Sequence, residues 1–212
     1  MKQCGAIFDV DGTILDSMPW WEKADYISLE KLGITPTREI QENFAKQTLA
    51  ESAVYISELD GGKITPEQAR ELVLDTMFEA YKNEIELKPG ILQFLQDLKN
   101  RGVKMIIATS GERRCVELAF ARFGIAEYFK DILTADDVGK GKNFPDIFLR
   151  ACEIIGTKPC ETFVYEDSLH AIKTAKSAGF VTVGIYDEFS KARWNEIKAT
   201  ADFAWQDFTE AL

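Results

Sequence analysis

The feature that most constrains the fold is a regular alternation of short apolar strands with amphipathic helices, which begins at Pro89. Strands are predicted at residues 103–108, 131–134, 162–165 and 181–185. Helices are predicted at residues 91–100, 113–123, 146–155 and 169–178. Short apolar strands that alternate with helices are typical of a parallel sheet covered by helices on both faces. The alternation therefore predicts an α/β fold with a doubly wound, Rossmann-like parallel sheet.

The N-terminal part of the chain has a different rhythm. Residues 4–8 form one more short apolar run, but no strand is predicted between Pro19 and Glu84. Three amphipathic helical stretches occupy this region instead, at residues 20–32, 38–59 and 66–83. A lone strand beside helices would leave its backbone groups unpaired, so the first strand is expected to join the sheet. We therefore predict a Rossmann-like core at residues 1–15 and 89–212, and an inserted all-helical cap at residues 16–88.

Composition narrows the possible partners and the compartment. The chain has 212 residues and a net charge of −10, without a cluster of basic residues. This charge pattern argues against nucleic acid and against an anionic membrane surface as partners. No apolar run is long enough to span a bilayer, and the N-terminus does not resemble a secretory signal. The four cysteines lack metal-site spacing and are expected to be reduced thiols. We therefore expect a cytoplasmic protein that acts on small molecules. No protein partner is indicated.

The most informative segment is Ile-Phe-Asp-Val-Asp-Gly-Thr at residues 7–13. It places two carboxylates, Asp9 and Asp11, where the first strand ends. Side chains two residues apart on an extended chain share one face, and Gly12 allows a sharp turn after them. Two crowded carboxylates repel each other, which raises one pKa and attracts a divalent cation. The end of a parallel strand is also where open α/β sheets bind ligands.

Three other interpretations of this segment compete with a catalytic one. Asp and Gly are common in plain turns. A calcium-binding EF-hand loop that starts at Asp9 would need Gly and Glu where the chain has Ile14 and Trp20, so this interpretation fails. A receiver domain, which accepts a phosphoryl group for signalling, stays open at this point.

Three further polar elements follow predicted strands. Thr109, Ser110 and Gly111 offer hydroxyl and backbone N–H groups to a phosphate, although Ser110 could equally cap the next helix. Lys142 lies before a helix, where a lone lysine is usually solvated. Glu166 and Asp167 follow a buried strand. Carboxylates at such a position cost free energy unless a cation, a water molecule or a helix cap accepts them.

These elements are expected to meet at one edge of the sheet. The carboxyl ends of parallel strands open on the same side, and the intervals between the elements fit successive strand–helix units. Two acid pairs, a hydroxyl and a lysine would then surround one site. Chance is a poor explanation for this combination.

The sequence resembles the haloacid dehalogenase superfamily of phosphohydrolases along its whole length. Residues 8–14 are similar to the first family motif, residues 106–110 to the second, Lys142 to the third and residues 164–168 to the fourth. Residues 143–148 resemble the stretch that follows the family lysine, which favours Lys142 over its neighbour Lys140. The helical insertion after the first strand resembles the subgroup that contains beta-phosphoglucomutase and phosphoglycolate phosphatase.

The resemblance and the residue chemistry imply the same roles. Asp9 is expected to attack phosphorus and become an aspartyl phosphate, while Asp11 serves as the general acid and base. A Mg²⁺ ion is expected on Asp9, the Asp11 carbonyl oxygen and Asp167, with Glu166 as a further ligand or support. The groups expected to bind the transferring phosphoryl oxygens are Thr109, Ser110, Gly111 and Lys142.

The resulting prediction is a Mg²⁺-dependent phosphatase that hydrolyses a small phosphorylated metabolite such as a sugar phosphate. A phosphomutase of the same subgroup is the main alternative. A receiver-like module is less favoured, because such a module is usually shorter and carries its aspartate on a later strand. Beta-phosphoglucomutases use a cap arginine and a cap histidine, and Leu49 and Trp21 fall at these places. Three residues of the predicted cap either belong only to its helical bundle or contact the substrate, namely Trp20, Trp21 and Lys46.

Overall fold

The protein was analysed as a computed structural model that describes residues 3–44, 47 and 49–211. It divides into two compact units. The core unit consists of Met1–Asp16 and Glu86–Leu212, and the insert unit is Ser17–Ile85. Along the chain, the insert interrupts the core after the first strand and the turn that follows it.

The core unit is built on a six-stranded sheet in which every pairing is parallel. The strands are β1 (Gly5–Phe8), β2 (Lys104–Thr109), β3 (Phe129–Thr134), β4 (Thr162–Glu166), β5 (Val181–Ile185) and β6 (Phe203–Trp205). Their order across the sheet is β3-β2-β1-β4-β5-β6. The first strand therefore lies in the interior of the sheet, and the predicted α/β class with a doubly wound parallel sheet is confirmed. β6 was not predicted, because its three residues are too short to give an apolar pattern.

The described residues of the insert unit form four helices. They are α1 (Met18–Lys31), α2 (Arg38–Phe44), α3 (Leu49–Leu59) and α4 (Pro66–Asn83). The prediction of one continuous helix over 38–59 is wrong, because α2 ends at Phe44 and Gln47 is not helical. The backbone N–H of Gln47 donates to the carbonyl of Phe44, the last residue of α2, at 3.0 Å. Thr65 is the N-cap of α4, since its hydroxyl accepts from the Gln68 N–H at 3.3 Å.

Helices cover the sheet of the core unit. They are α5 (Ile91–Asn100), α6 (Arg113–Phe123), α7 (Ala135–Val138), α8 (Asp146–Ile155), α9 (Leu169–Ser177) and α10 (Trp194–Thr200). Within the described ranges 3–44, 47 and 49–211, no helix combines the length and apolar character needed to cross a membrane.

The last two residues of β1 show how both faces of the sheet are buried. Ile7 belongs to an apolar cluster with Ile147 of α8, on one face. Phe8 points to the other face, where its ring stacks on Tyr165 with centroids 4.5 Å apart and meets Phe94 of α5 edge-on. Alternate side chains of a strand point to opposite faces, so a strand buried on both must be apolar throughout. This packing fixes the position at which β1 ends, and therefore the position of Asp9, the residue that follows it.

Candidate active site

The register of the sheet brings three predicted site segments to one edge. Phe8 is paired with Ile107 of β2 and with Tyr165 of β4. The residues that follow these paired positions therefore lie side by side at the carboxyl edge, and they include Asp9, Thr109 and Glu166. The backbone N–H of Asp9 still donates to the carbonyl of Tyr165 at 3.0 Å, so Asp9 is held by the sheet itself.

A tight turn carries the chain away from Asp9. The N–H of Gly12 donates to the carbonyl of Leu15 and the N–H of Leu15 to the carbonyl of Val10, both at 2.9 Å. Gly12 has a φ of +77°, and a Cβ atom added to it would lie 2.7 Å from an oxygen of Asp167. Both observations require glycine at this position. The turn thus packs against the second acid pair as well as presenting the first.

Lys142 forms ion pairs with two carboxylates. Its ammonium contacts Asp9 and lies 2.6 Å from an oxygen of Glu166. All three side chains are buried. Lys140, the alternative from the sequence, instead pairs with Asp146 at 2.7 Å on the surface. The geometry therefore distinguishes the two lysines and places Lys142 within the carboxylate cluster.

The second predicted motif borders Asp11. Thr109 is the last residue of β2 and is buried, and its hydroxyl accepts from the N–H of Gly111 at 2.9 Å. Ser110 is exposed. A Cβ atom added to Gly111 would lie 2.8 Å from a carboxylate oxygen of Asp11. This short segment and the Asp11 carboxylate are therefore immediate neighbours.

Three acids form a candidate metal centre. Asp9, Glu166 and Asp167 each offer a carboxylate oxygen, and these oxygens all lie within 4.8 Å of one another. Lys142 supplies one positive charge against these three negative ones, so the cluster keeps a formal charge of −2. Buried carboxylates with uncompensated charge are the oxygen donors that a hard divalent cation prefers. The donor set therefore fits Mg²⁺.

The pKa values of the cluster follow from burial and crowding. Burial raises the pKa of Asp9 to about 7, with Lys142 acting against it and Glu166 and Asp11 adding to it. The pKa of Asp167 is raised well above its usual value, first by burial and then by the charges of Glu166 and Asp9. Burial alone would lower the pKa of Lys142, but its two carboxylate partners outweigh burial and raise it. A divalent cation would favour the ionised form of both aspartates.

Glu166 is the most constrained member of the cluster. One of its oxygens accepts from Lys142 and the other from the N–H of Ser168, the latter at 2.8 Å. Both oxygens are thus already engaged by protein donors, whereas an oxygen of Asp167 points at the turn around Gly12. This arrangement suits Glu166 to orient the lysine and support the metal ligands.

One acid at this edge was not predicted. Asp187 follows β5, is buried, and accepts from Lys88 at 2.5 Å. The rule that selected the pair 166–167, an acid after a buried strand, also applies to it. It was missed because Tyr186 separates it from the strand, which weakens the signal.

The predicted cap residues Trp20 and Trp21 make contacts within the insert unit. Trp21 donates from its indole N–H to the hydroxyl of Tyr81 at 3.2 Å, and the Lys23 ammonium lies 4.8 Å from the centre of the Trp20 ring. Both tryptophans are half-buried within the insert unit. Leu49 begins α3. Lys46 lies outside the described residues.

Known proteins match this chain along most of its length. It is 27% identical over 209 residues to a validoxylamine A 7'-phosphate phosphatase of Streptomyces hygroscopicus subsp. limoneus, covering 97% of this chain and 94% of that protein. It is 29% identical over 203 residues to hexitol phosphatase A of Escherichia coli, covering 93% and 89%. It is 30% identical over 186 residues to a beta-phosphoglucomutase of Bacillus subtilis, covering 84% and 81%.

The fold also has solved counterparts. The crystal structure of a putative beta-phosphoglucomutase from Thermotoga maritima superposes with a TM-score of 0.81 at 24% identity, covering 97% of this chain and 94% of that one. The sequence model of the haloacid dehalogenase-like hydrolases matches residues 5–179, which include every predicted site residue. With this match and with phosphatases among its relatives, the chain belongs to the haloacid dehalogenase-like hydrolases and is a phosphatase.

Proposed function

We propose that this phosphatase hydrolyses a small phosphorylated sugar or polyol through an aspartyl phosphate formed on Asp9. The observation that carries the proposal is the buried cluster in which Asp9 meets Lys142 and two further acids. A carboxylate held in place by a lysine and a cation site has the surroundings that an attacking nucleophile needs. A purely structural ion pair would not leave the cluster with a formal charge of −2.

The roles of the remaining residues follow from their positions. Lys142 and the N–H groups around Thr109 supply positive charge where phosphoryl oxygens gather charge in the transition state. Asp11 follows Asp9 by two residues in the turn after β1 and borders Gly111, so its carboxylate is placed to exchange a proton with the leaving oxygen. The same carboxylate then takes a proton from the water that hydrolyses the intermediate.

The acids of the cluster would hold Mg²⁺. We assign Asp9, Asp167 and the carbonyl oxygen of Asp11 as ligands, with Glu166 in support. When bound, the cation would offset the charge repulsion between an anionic carboxylate and an anionic phosphate. It would also keep Asp9 ionised, since the buried carboxyl without it has a pKa of about 7.

The substrate class rests on the relatives. The matched phosphatases are named for validoxylamine A 7'-phosphate and for hexitols, and the matched mutase for a glucose phosphate. The three names all refer to phosphate esters of small polyhydroxylated compounds. We therefore place the substrate among phosphorylated sugars, sugar alcohols and cyclitols.

A phosphomutase is the second candidate, because the Bacillus subtilis relative with that name is 30% identical. A mutase must hold a second phosphate and shield its aspartyl phosphate from water. The residues aligned with the arginine and histidine that those enzymes use for this are Leu49 and Trp21. A leucine cannot bind phosphate, and the indole of Trp21 already donates to Tyr81. Water should therefore reach the intermediate, and hydrolysis is favoured.

Two assays test this proposal. The first measures inorganic phosphate released from a panel of phosphorylated sugars, hexitols and cyclitols, with nucleotides and phosphoglycolate for contrast. Faster hydrolysis of the polyhydroxylated esters supports the substrate class, and preference for a nucleotide or for phosphoglycolate contradicts it. The second assay supplies beta-glucose 1-phosphate with a bisphosphate primer. Glucose 6-phosphate that forms faster than free phosphate would show that the mutase assignment is right.

A further inference from the structure

Asp187 is a buried acid at the active-site edge to which the mechanism above gives no role. It follows β5, and only 2% of its surface is exposed. One carboxylate oxygen accepts from the N–H of Phe189 at 2.9 Å, and the other accepts from the ammonium of Lys88 at 2.5 Å. A buried carboxylate is costly unless it is paired, and the ammonium of Lys88 provides that partner for Asp187.

Asp187 lies beside the proposed metal ligands. A Cβ atom added to Gly12 would be 2.7 Å from an oxygen of Asp167 and 3.4 Å from the carboxyl carbon of Asp187. The two acids therefore pack against the same glycine. After burial, Glu166 and Asp9, the charge of Asp187 is a further cause of the raised pKa of Asp167.

Lys88 is held between three segments of the core unit. Its side chain is 10% exposed, and its ammonium lies 3.4 Å from Asp16 as well as 2.5 Å from Asp187. Its backbone N–H donates to the carbonyl of Ile14 at 2.8 Å. The positive charge is therefore fixed beside the turn that carries Asp11 and cannot swing freely into solvent.

We propose that the Lys88–Asp187 ion pair sets the net charge beside the metal cluster and thereby tunes its affinity for Mg²⁺. The inference rests on the proposed function, because it assumes that Asp9 and Asp167 bind the cation. The pair is neutral, so the site keeps the formal charge of −2 given by three acids and Lys142. Loss of Lys88 alone would add a nearby negative charge. Loss of the Asp187 charge alone would leave a positive charge that, among the described residues, only the exposed Asp16 still pairs with, at 3.4 Å.

The test is calorimetric titration of Mg²⁺ into the metal-free full-length protein, without substrate. Lys88→Met is expected to lower the Kd for Mg²⁺ by roughly three- to tenfold, because Asp187, which packs against the same glycine as Asp167, would lose its ammonium partner and act on the site through a partly screened medium. Asp187→Asn is expected to raise the Kd by a similar factor. The double variant, which is neutral again, is expected to return within about twofold of the wild type.

A role limited to holding the fold together would give a different pattern. It would make both single variants bind Mg²⁺ more weakly or equally, and it would not produce tighter binding in Lys88→Met. Lys176→Met removes a lysine paired with Asp202 on the surface at 3.0 Å and serves as the charge-matched control. Its Kd is expected to equal that of the wild type.

Circular dichroism and thermal unfolding of each metal-free variant establish that the folded protein is titrated. If Lys88→Met does not fold, Asp187→Asn and the double variant decide the question, and an unchanged Kd in Asp187→Asn overturns the proposal. An unchanged or raised Kd in folded Lys88→Met overturns it as well. A wild-type protein that binds no Mg²⁺ would instead contradict the metal site itself and remove the basis of both proposals.

Discussion

The ammonium of Lys142 lies 2.6 Å from a carboxylate oxygen of Glu166, and both side chains are buried beneath the carboxyl edge of the sheet. Asp9 contacts the same ammonium from the first strand. This one lysine therefore joins residues from three distant parts of the sequence. Its removal would leave three acids without a protein cation.

Lys142→Met is accordingly expected to destabilise the metal-free protein by about 3–5 kcal/mol, the usual cost of breaking a buried ion pair from one side. It should also lower kcat, because the transferring phosphoryl group loses its fixed cation. Chemical unfolding in chelator and steady-state kinetics measure the two effects. Lys140→Met is the matched control, since its pair with Asp146 is exposed and should contribute far less to stability than the buried pair. Equal stability losses in both variants would contradict the assigned role.

Asp9→Asn is expected to lower kcat by at least about 10⁴-fold while the protein stays folded, because an amide cannot act as the nucleophile. Phosphate release under saturating substrate provides the measurement. Asp131→Asn, at an exposed position of β3, is expected to retain wild-type turnover. Steady-state hydrolysis near the wild-type rate by folded Asp9→Asn would remove Asp9 from the mechanism.

Activity is expected to require Mg²⁺ and to disappear in excess chelator. Asp167→Ala should raise the Mg²⁺ concentration needed for the half-maximal rate by roughly 10- to 100-fold, since a ligand is lost from the site. Calcium is expected to inhibit, because its larger and more flexible coordination distorts the arrangement for in-line attack. The measurement is initial rate against metal concentration. Full activity in excess chelator would refute the metal requirement.

The insert unit contains a carboxylate that makes stability depend on pH. Burial raises the pKa of Asp25 to about 6, despite a hydrogen bond from Ser52 at 3.4 Å. Because the folded state favours the protonated form, this stabilising effect is complete below the unfolded pKa of 3.8 and is lost as the pH rises through about 6. Asp25→Asn, which stays neutral, is therefore expected to stabilise the protein by about 1–3 kcal/mol above that range.

The check is the free energy of unfolding of wild type and Asp25→Asn across this pH range. The advantage of the variant should shrink steadily as the pH falls from about 7 toward about 4. Asp75→Asn, at an exposed position of α4, is the control and should show no such dependence. An advantage that stays constant with pH would show that the charge of Asp25 is not its source.

The sequence predicted the parallel sheet well, because β1, β4 and β5 are short runs that are largely apolar and buried. It did not predict β6, which has only three residues, or the break between α2 and α3 at Gln47. Convergence of the polar strand ends could be predicted because parallel strands share one carboxyl edge. The Lys88–Asp187 pair could not be predicted, because the two residues are 99 positions apart. The sequence does not show that the segment around Lys88 passes close to the residues that follow β5.

The central claim is that phosphate passes through a covalent bond to Asp9. Asp11→Asn should slow release of the phosphoryl group, because the variant lacks the base that activates water. A reactive ester such as an aryl phosphate should still transfer its phosphoryl group, since its leaving group needs no acid. Acid quenching after mixing, followed by peptide mass spectrometry, is expected to find one phosphoryl group on the peptide that contains Asp9. A modification on another residue, or substrate turnover by the variant with Asp9 unmodified throughout, would contradict the account.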